Sequence, residues 1–436
     1  MKIIAQARTH LGEKLLANVV SLYGAYLVNY AAPLLVVPYL VRTLGPGGWG
    51  LVAMAQGFGN YLNLVVEYGF NLSATREVAR HRDSPGRIAD LVAGVTAAKL
   101  LLSLGGVALA LVLQYTVPAL RAQPRVLWAG VLAAIALGFS PLWYFQGRED
   151  MKLVAGLEVV TKLAAAGGVF LLVHHPADAW KVLALQAGAS VVSSGVAIVL
   201  TYREVEAVRP SPALVLAALR TGWSMFLFRS SAMLYTSGNS FLLGLFAPMS
   251  AVGYFAGAEK ISKAFMGLMN PVNQAMYPRL SHLAVHDPKE GKRLLRINAL
   301  LVGGGGLLLG LTVFLATPLL VRILLGRDFG PAVPVLRFLA ILPPLIGMNT
   351  VLCTQWMAPL GMDAILNRII CGAGLLNVAL ACLLAPSFRQ MGMACAVVCA
   401  ELFIGLTSLA VLMRRRGRPE PAMAATLHIS DMEQSA

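Results

Sequence analysis

Long apolar runs recur along the chain at nearly even spacing. Stretches of about 20 mostly apolar residues, enough to cross a bilayer as a helix, begin near Leu15, Trp49, Ile88, Val126, Leu153 and Val182. A second set begins near Leu219, Val252, Arg296, Val333, Ala364 and Met393. Numbered as spans 1 to 12, they predict an all-α polytopic membrane protein of about twelve transmembrane helices. An even count places both termini on one side. No connecting stretch exceeds about 20 residues, which leaves no room for a soluble catalytic or nucleotide-binding domain. The first apolar stretch follows the basic residues Lys2, Arg8 and Lys14 and is too long for a signal-peptide core, so it is expected to stay as a membrane helix.

Polar residues interrupt this pattern in a regular way. In span 2, Gln56, Asn60, Asn63 and Glu67 follow i, i+4, i+7, i+11 and share one helix face. In span 8, Glu259, Lys263 and Asn270 follow i, i+4, i+11, with Gln274 slightly aside. Span 1 offers Asn18, Ser21, Ala25 and Asn29, and span 7 offers Arg229, Thr236 and Ser240. An Arg, Lys or Asp at the centre of a membrane helix costs on the order of 2.5–3.5 kcal/mol. A single stripe is satisfied by interhelical hydrogen bonds. Four stripes, on the first two spans of each half, predict a hydrated lumen between two lobes. Arg229 and Lys263 are the predicted anion contacts, while Glu259 has either a transport role or only an i,i+4 salt bridge to Lys263. Lys99, Lys162 and Arg368 are expected to snorkel. Glu401 stands alone in span 12 and is the candidate proton site, unless a polar neighbour accounts for it. Pro33, Pro38, Pro141, Pro271 and Pro343-Pro344 are expected to bend their spans.

The two halves resemble each other. Leu44-Gly-Pro-Gly-Gly-Trp-Gly50 precedes span 2 as Phe246-Ala-Pro-Met-Ser-Ala-Val-Gly253 precedes span 8. Setting Gly50 on Gly253, an offset of 203, pairs Gln56 with Glu259, Asn60 with Lys263, Glu67 with Asn270 and Asn71 with Gln274. Six spans separate the copies, so both run the same way through the membrane. That is a parallel pseudo-two-fold repeat of two six-helix lobes: an N-lobe over 1–213, a C-lobe over 214–413 and a tail over 414–436 expected to be disordered.

Composition agrees with a lipid environment: 58% hydrophobic, 13% charged, with a mean hydropathy of +0.71. Soluble domains carry about a quarter charged residues. The net charge of +15 is spread over span ends and forms no single run, so it does not point to nucleic acid. Basic residues favour one set of alternate loops by more than two to one, placing that side and both termini in the cytoplasm. Cys353, Cys371, Cys382, Cys395 and Cys399 lie in apolar segments without metal-ligand spacing. Gly291-Lys292 is followed by Arg293 and lacks the phosphate-loop frame, and Gly303–Gly306 reads as a helix-packing surface. No catalytic residue, metal or cofactor is expected.

Four motifs in order carry a family resemblance: Glu67-Tyr-Gly-Phe-Asn-Leu-Ser-Ala-Thr-Arg-Glu77, Val252-Gly-Tyr-Phe-Ala-Gly-Ala-Glu-Lys-Ile261, Tyr277-Pro-Arg-Leu-Ser281 and Leu325-Gly-Arg-Asp-Phe-Gly-Pro-Ala-Val-Pro-Val-Leu-Arg337. Together they resemble the Wzx-type oligosaccharide (O-antigen and polysaccharide repeat-unit) flippases of the multidrug/oligosaccharidyl-lipid/polysaccharide superfamily. The resemblance implies two six-helix lobes in a V within the bacterial inner membrane. It implies a transporter that moves undecaprenyl-diphosphate-linked glycan from the cytoplasmic to the periplasmic leaflet by alternating access. Its expected partners are that glycan, membrane lipid and other surface-glycan assembly proteins. The alternatives are a lipid II flippase or a cation-coupled drug exporter of the same superfamily, and, in a different class, a membrane glycan polymerase or ligase. The enzyme would need a large periplasmic catalytic loop. The drug exporter would carry more acidic than basic lumen residues, whereas spans 7 and 8 hold Arg229, Lys260 and Lys263 against Glu259. Span 2 has no basic residue, so the positive charge is expected to lean toward the C-lobe.

Overall fold

A computed structural model describes residues 36–414, which are helical without any strand among the described residues. Asn29, the rest of span 1 before residue 36, Pro33 and the tail from 415 lie outside them. In hydrocarbon no water satisfies a free N–H or C=O, and the helix pairs its own backbone groups. The helices used below are α1 (residues 36–67), α2 (Phe70–Arg80), α3 (Pro85–Thr116), α4 (Pro124–Gly138), α5 (Leu142–Arg148), α6 (Lys152–Leu172), α7 (Ala179–Glu204) and α8 (Pro212–Thr236). There follow α9 (Met249–Gly267), α10 (Asn270–His286), α11 (Pro288–Leu320), α12 (Ala332–Leu339), α13 (Leu342–Asn349) and α14 (Asp363–Arg414). The run α1 is turned at Gly45, in the left-handed region at φ 67°, which divides span 1 from span 2. Likewise α14 holds spans 11 and 12, divided where Arg389 leaves helical geometry at φ 49°, ψ −126°.

Seven described helical segments are long and apolar enough to cross a membrane: Pro85–Thr116, Pro124–Arg148, Lys152–Leu172, Pro176–Glu204, Lys289–Leu325, Ala332–Met357 and Asp363–Arg414. Spans 7 and 8 miss this threshold because they carry the charged stripes. The apolar helices show the inverse of a soluble core. Only 17% of the most apolar stretch of Lys152–Leu172 is buried, and Leu100, Leu101, Leu104, Leu307, Leu308 and Leu315 are exposed. Outward-facing leucine is what lipid contact favours.

The predicted prolines act differently from expectation. Pro141 caps the start of α5, while Pro271 and Pro343 sit in the first turns of α10 and α13. Their missing N–H groups are not needed there, so they begin helices instead of bending them. Span 8 also ends sooner than its polar stripe suggested. Leu268 and Met269 form a turn, which puts Asn270 at the head of α10 and off the helix that carries Glu259 and Lys263. The same interruption, Tyr68-Gly69, parts α1 from α2.

The chain divides into two compact units. Among described residues one comprises Val36–Ala256 with Ala381–Met393, and the other Gly257–Leu380 with residues 394–414. This grouping follows what touches what, and it places α8 with the first unit, where it packs along α3. In the same unit α4 and α6 both pack on α7, and α2 packs on α5. In the second unit α11 carries α10, α12 and α13.

At one end of the first unit three loops meet. Arg82, between α2 and α3, contacts Glu149 at 2.7 Å and donates to the Gly147 carbonyl at 2.9 Å. Arg148 approaches Glu204, at the end of α7, at 3.7 Å. The Arg82 hydrogen bond and charge hold the Glu149 carboxyl below the usual carboxylate range. The connections after spans 2, 4 and 6 therefore share one end, as alternating spans require.

At the start of span 2, a Cβ on Gly50 would lie 1.8 Å from the Met249 carbonyl oxygen, and one on Gly253 would lie 2.0 Å from that of Pro46. The offset of 203 carries Pro46 onto Met249 and Gly50 onto Gly253. The contact is therefore reciprocal, as at a two-fold axis, and any side chain here strikes backbone. Gly50→Ala is expected to destabilise the protein by about 1–3 kcal/mol. Gly105→Ala, where nothing lies within 4 Å, should be neutral or stabilising by up to about 1 kcal/mol through helix propensity. Thermal unfolding of the two variants in detergent measures the contrast.

Candidate functional site

Four helices of the first unit bring their polar groups together at the end of α1. The turn at Tyr68 (φ 48°) and Gly69 (φ 74°) stops that helix directly after Glu67. Left-handed geometry is unfavourable for tyrosine, and α8 holds it in place. The Tyr68 ring stacks on Phe226 with centroids 4.6 Å apart. A Cβ on Gly222 would come within 2.9 Å of the Tyr68 carbonyl, so the close approach depends on glycine. Three residues beyond Phe226 along α8, Arg229 pairs with the Glu67 carboxylate. Glu67 is buried, and Arg229 keeps about a third of its side chain exposed (35%).

Below this pair, α3 presents Lys99, Ser103, Gly106 and Ala110, all buried on one i, i+4, i+7, i+11 stripe. A Cβ on Gly106 would meet Leu62 Cδ1 at 2.1 Å, which locates this stripe against α1. Lys99 is 2% exposed and lies within electrostatic range of Glu67. Its ammonium donates to the Ser140 carbonyl at 3.3 Å. The expectation that Lys99 snorkels is corrected, because its side chain is buried and its ammonium is held by the Ser140 carbonyl. Lys162, by contrast, is exposed and paired with Glu158 at 2.5 Å, and Arg368 is exposed. At the end of α4, a Cβ on Gly138 would lie 2.6 Å from Val66 Cγ1, completing the convergence around Glu67.

The rest of the span 2 stripe keeps its face but meets different neighbours. Asn63 Nδ2 donates to the Ala134 carbonyl of α4 at 3.2 Å. Asn60 Nδ2 reaches the Ser237 carbonyl after α8 at 3.4 Å. Gln56 Nε2 donates to Gln186 Oε1 of α7 at 3.2 Å. One stripe thus ties α1 to three helices, while Asn60 stays exposed and Gln56 half-buried.

In the second unit, Lys263 Nζ lies 2.9 Å from Glu259 Oε1, with Lys263 nearly half exposed. The i,i+4 pairing anticipated for Glu259 is present. Asn270 is half-buried on α10. Glu401 is not alone: Asn349 Nδ2 donates to the Glu401 carboxylate at 2.7 Å and to the Glu401 backbone carbonyl at 2.9 Å. A Cβ on Gly405 would lie 2.7 Å from Asn349 Oδ1, so glycine makes the space for this amide. Beside it a neutral network runs through the wide-turned segment Thr350–Met357. Asn298 donates to Gln355, Gln355 donates to Asn273 at 3.2 Å, and Cys353 Sγ meets Ser408 Oγ at 3.2 Å. Asn298, Asn349 and Gln355 belong to none of the polar stripes of the sequence. Lys99 was detectable, since its small and polar stripe contrasts with Leu100, Leu101 and Leu104 on the lipid face.

The chemistry of these groups is recognition of charge. In the first unit an arginine pairs with one buried carboxylate and a lysine lies within electrostatic range of it, and the guanidinium offers a planar fork suited to carboxylate or phosphate oxygens. A model of a family described as polysaccharide biosynthesis protein matches residues 15–284. A protein of Escherichia coli (strain K12), named "Putative O-antigen transporter", is 31% identical over 92% of this chain and 97% of its own length. A Shigella dysenteriae protein of the same name is 30% identical over 90% and 98%. The chain belongs to the polysaccharide biosynthesis protein family. It is a multi-pass membrane protein. Its fold is shared with the lipid II flippase MurJ in an inward closed conformation (TM-score 0.70, 12% identity, 91% of this chain and 87% of that one). It is also shared with an inward-facing multidrug resistance MATE family transporter of the MOP superfamily (TM-score 0.64, 14% identity, 89% and 96%).

Truncating Glu67 removes the partner of Arg229. Glu67→Ala is expected to cost about 1.5–3 kcal/mol, the range for a hydrogen bond to a charged group. Glu158→Ala, at the exposed Lys162 pair, should cost less than about 1 kcal/mol. Denaturation of both variants in detergent micelles tests the difference.

Proposed function

We propose that this protein is a flippase that carries polyprenyl-diphosphate-linked oligosaccharide repeat units from the cytoplasmic to the periplasmic leaflet of the bacterial inner membrane. The observation that carries the reading is Arg229: a guanidinium at membrane depth, one-third exposed, balanced by a single buried carboxylate. Family membership and the names of the two relatives support a glycan cargo, and the shared fold supports alternating access. The diphosphate head needs counter-charge on its way across, which Arg229 and Lys263 supply. Gln56, Asn60, Asn63, Asn270 and Asn29 offer hydrogen bonds to sugar hydroxyls, and Glu67 and Glu259 hold the cations until cargo arrives. The prenyl tail stays in lipid. The repeat-based lobes, 1–213 and 214–413, are the moving parts of this proposal, and the reciprocal Gly50–Gly253 contact supports their two-fold relation. Other surface-glycan assembly proteins then act on the delivered repeat unit.

The membrane potential drives the step in this reading. About 100 mV, inside negative, favours outward movement of each negative charge by roughly 2.3 kcal/mol. Proton exchange through Glu401 is the competing drive. Its carboxylate is occupied by Asn349 within the second unit, an arrangement that supports a structural role.

Lys263→Ala, and Arg229→Ala combined with Glu67→Gln so that no carboxylate is left unpaired, should abolish surface-glycan export with near-normal protein levels, each losing a charge contact of about 2–5 kcal/mol. Lys263→Arg should retain part of the activity. Wild-type glycan in both alanine variants would remove these residues from the transport path. This reading puts both termini and the segment from Arg76 to Arg87, across the junction of α2 and α3, in the cytoplasm. A cysteine introduced at Ser84 on a cysteine-free background should accordingly resist an impermeant thiol reagent applied from the periplasm; modification there would overturn the orientation.

A further inference from the structure

We propose that Lys99 is a positioning residue for cargo binding: it takes over the Glu67 carboxylate when an anionic headgroup occupies Arg229. This rests on the reading that Arg229 contacts the diphosphate. The Glu67 carboxylate sits on the guanidinium where a phosphate oxygen would sit, since both anions use the same fork. Cargo therefore cannot engage Arg229 fully until that pair opens. Once it opens, Glu67 becomes a buried charge without a partner, which is the most unfavourable arrangement for a carboxylate in a low-dielectric interior.

Lys99 resolves this by its placement. Glu67 and Lys99 are the two charged side chains fully enclosed within the first unit among the described residues. The α3 stripe that carries Lys99 packs on α1 through Gly106 and Leu62, so the lysine lies beside the segment that ends in Glu67. Lys99 now donates to a neutral acceptor, the Ser140 carbonyl, and among the described residues no carboxylate lies within salt-bridge distance of it. Its four-carbon stem is flexible, unlike the planar fork of Arg229. A small crevice lined by Val95, Thr96, Phe139, Trp143 and Tyr202 lies beside Lys99. The carboxylate thus has a cation on either side, one exposed enough for cargo and one enclosed. Handing Glu67 from the first to the second keeps charge paired through the exchange.

The test is equilibrium binding of undecaprenyl diphosphate to the full-length protein in lipid nanodiscs, together with unfolding temperature. K99M should weaken binding by about tenfold or more, equivalent to about 1.4 kcal/mol. K99R should bind within about threefold of the unaltered protein. In an E67Q background there is no carboxylate to rehouse, so K99M/E67Q should bind within about threefold of E67Q alone, a strong departure from additivity. If K99M weakens binding equally in both backgrounds, or lowers unfolding temperature without changing affinity, Lys99 is only structural and the proposal fails. K99Q serves where K99M is not recovered as monodisperse protein. R229A separates the two levels. Unaltered affinity in R229A would overturn the diphosphate reading and this proposal with it, whereas lost affinity in R229A with additive K99M and E67Q effects would overturn this proposal alone.

Discussion

A charge carried to membrane depth has no water to stabilise it, and the helices around Glu67 are arranged as that constraint requires. Four elements end or pass at the carboxylate: α1 stops there, α8 brings Arg229, α3 brings Lys99, and the end of α4 supplies the Ser140 carbonyl to Lys99. The strained Tyr68 backbone is part of the same arrangement. A helix that continued past Glu67 would carry the chain onward through the space where Tyr68 stacks on α8, and the turn would not be held. Strain at that residue persists because ring stacking and the Gly222 contact over-determine it.

Close backbone approach does the work that the hydrophobic effect performs in soluble proteins. Lipid is as apolar as leucine, so burying leucine between helices gains little. Gly50, Gly253, Gly106, Gly138 and Gly222 each stand where a methyl group would overlap a neighbour. The van der Waals contact and interhelical hydrogen bonds gained there hold the helices together, and the bulky apolar side chains are left to face lipid. The same economy explains Asn60, Asn63 and Gln56, which bind carbonyls or amides of three separate helices and so fix α1 within its unit.

The second unit solves its polar problem with neutral groups. Asn298, Gln355 and Asn273 form one chain of hydrogen bonds, and Asn349 satisfies Glu401 twice. The wide turns of Thr350–Met357 lie among these groups. Such turns rotate successive side chains out of the ordinary helical register, which is how Cys353 and Gln355, two residues apart, both find partners inside the unit.

Much of this molecule is set by local sequence. Apolar run length marked the seven described segments long enough to cross a membrane, because a bilayer leaves a chain no other spanning structure than a helix or a closed barrel. The offset of 203 pairs Pro46 with Met249 and Gly50 with Gly253, which meet within the first unit, and the alternation of basic loops agreed with three connections meeting at one end of that unit. Period alone also placed Gln56, Asn60, Asn63 and Glu67 on one face, since the helical repeat needs no tertiary information. Partners were a different matter. That Glu67 meets Arg229, 162 residues away, that Lys99 turns inward while Lys162 turns outward, and that Glu401 has Asn349 opposite it were decided by packing between helices. A lysine in an apolar run reads the same whether its helix face meets lipid, water or another helix. Only the rotation of each helix about its own axis distinguishes these cases, and that rotation is fixed by the glycine contacts and hydrogen bonds of the folded units.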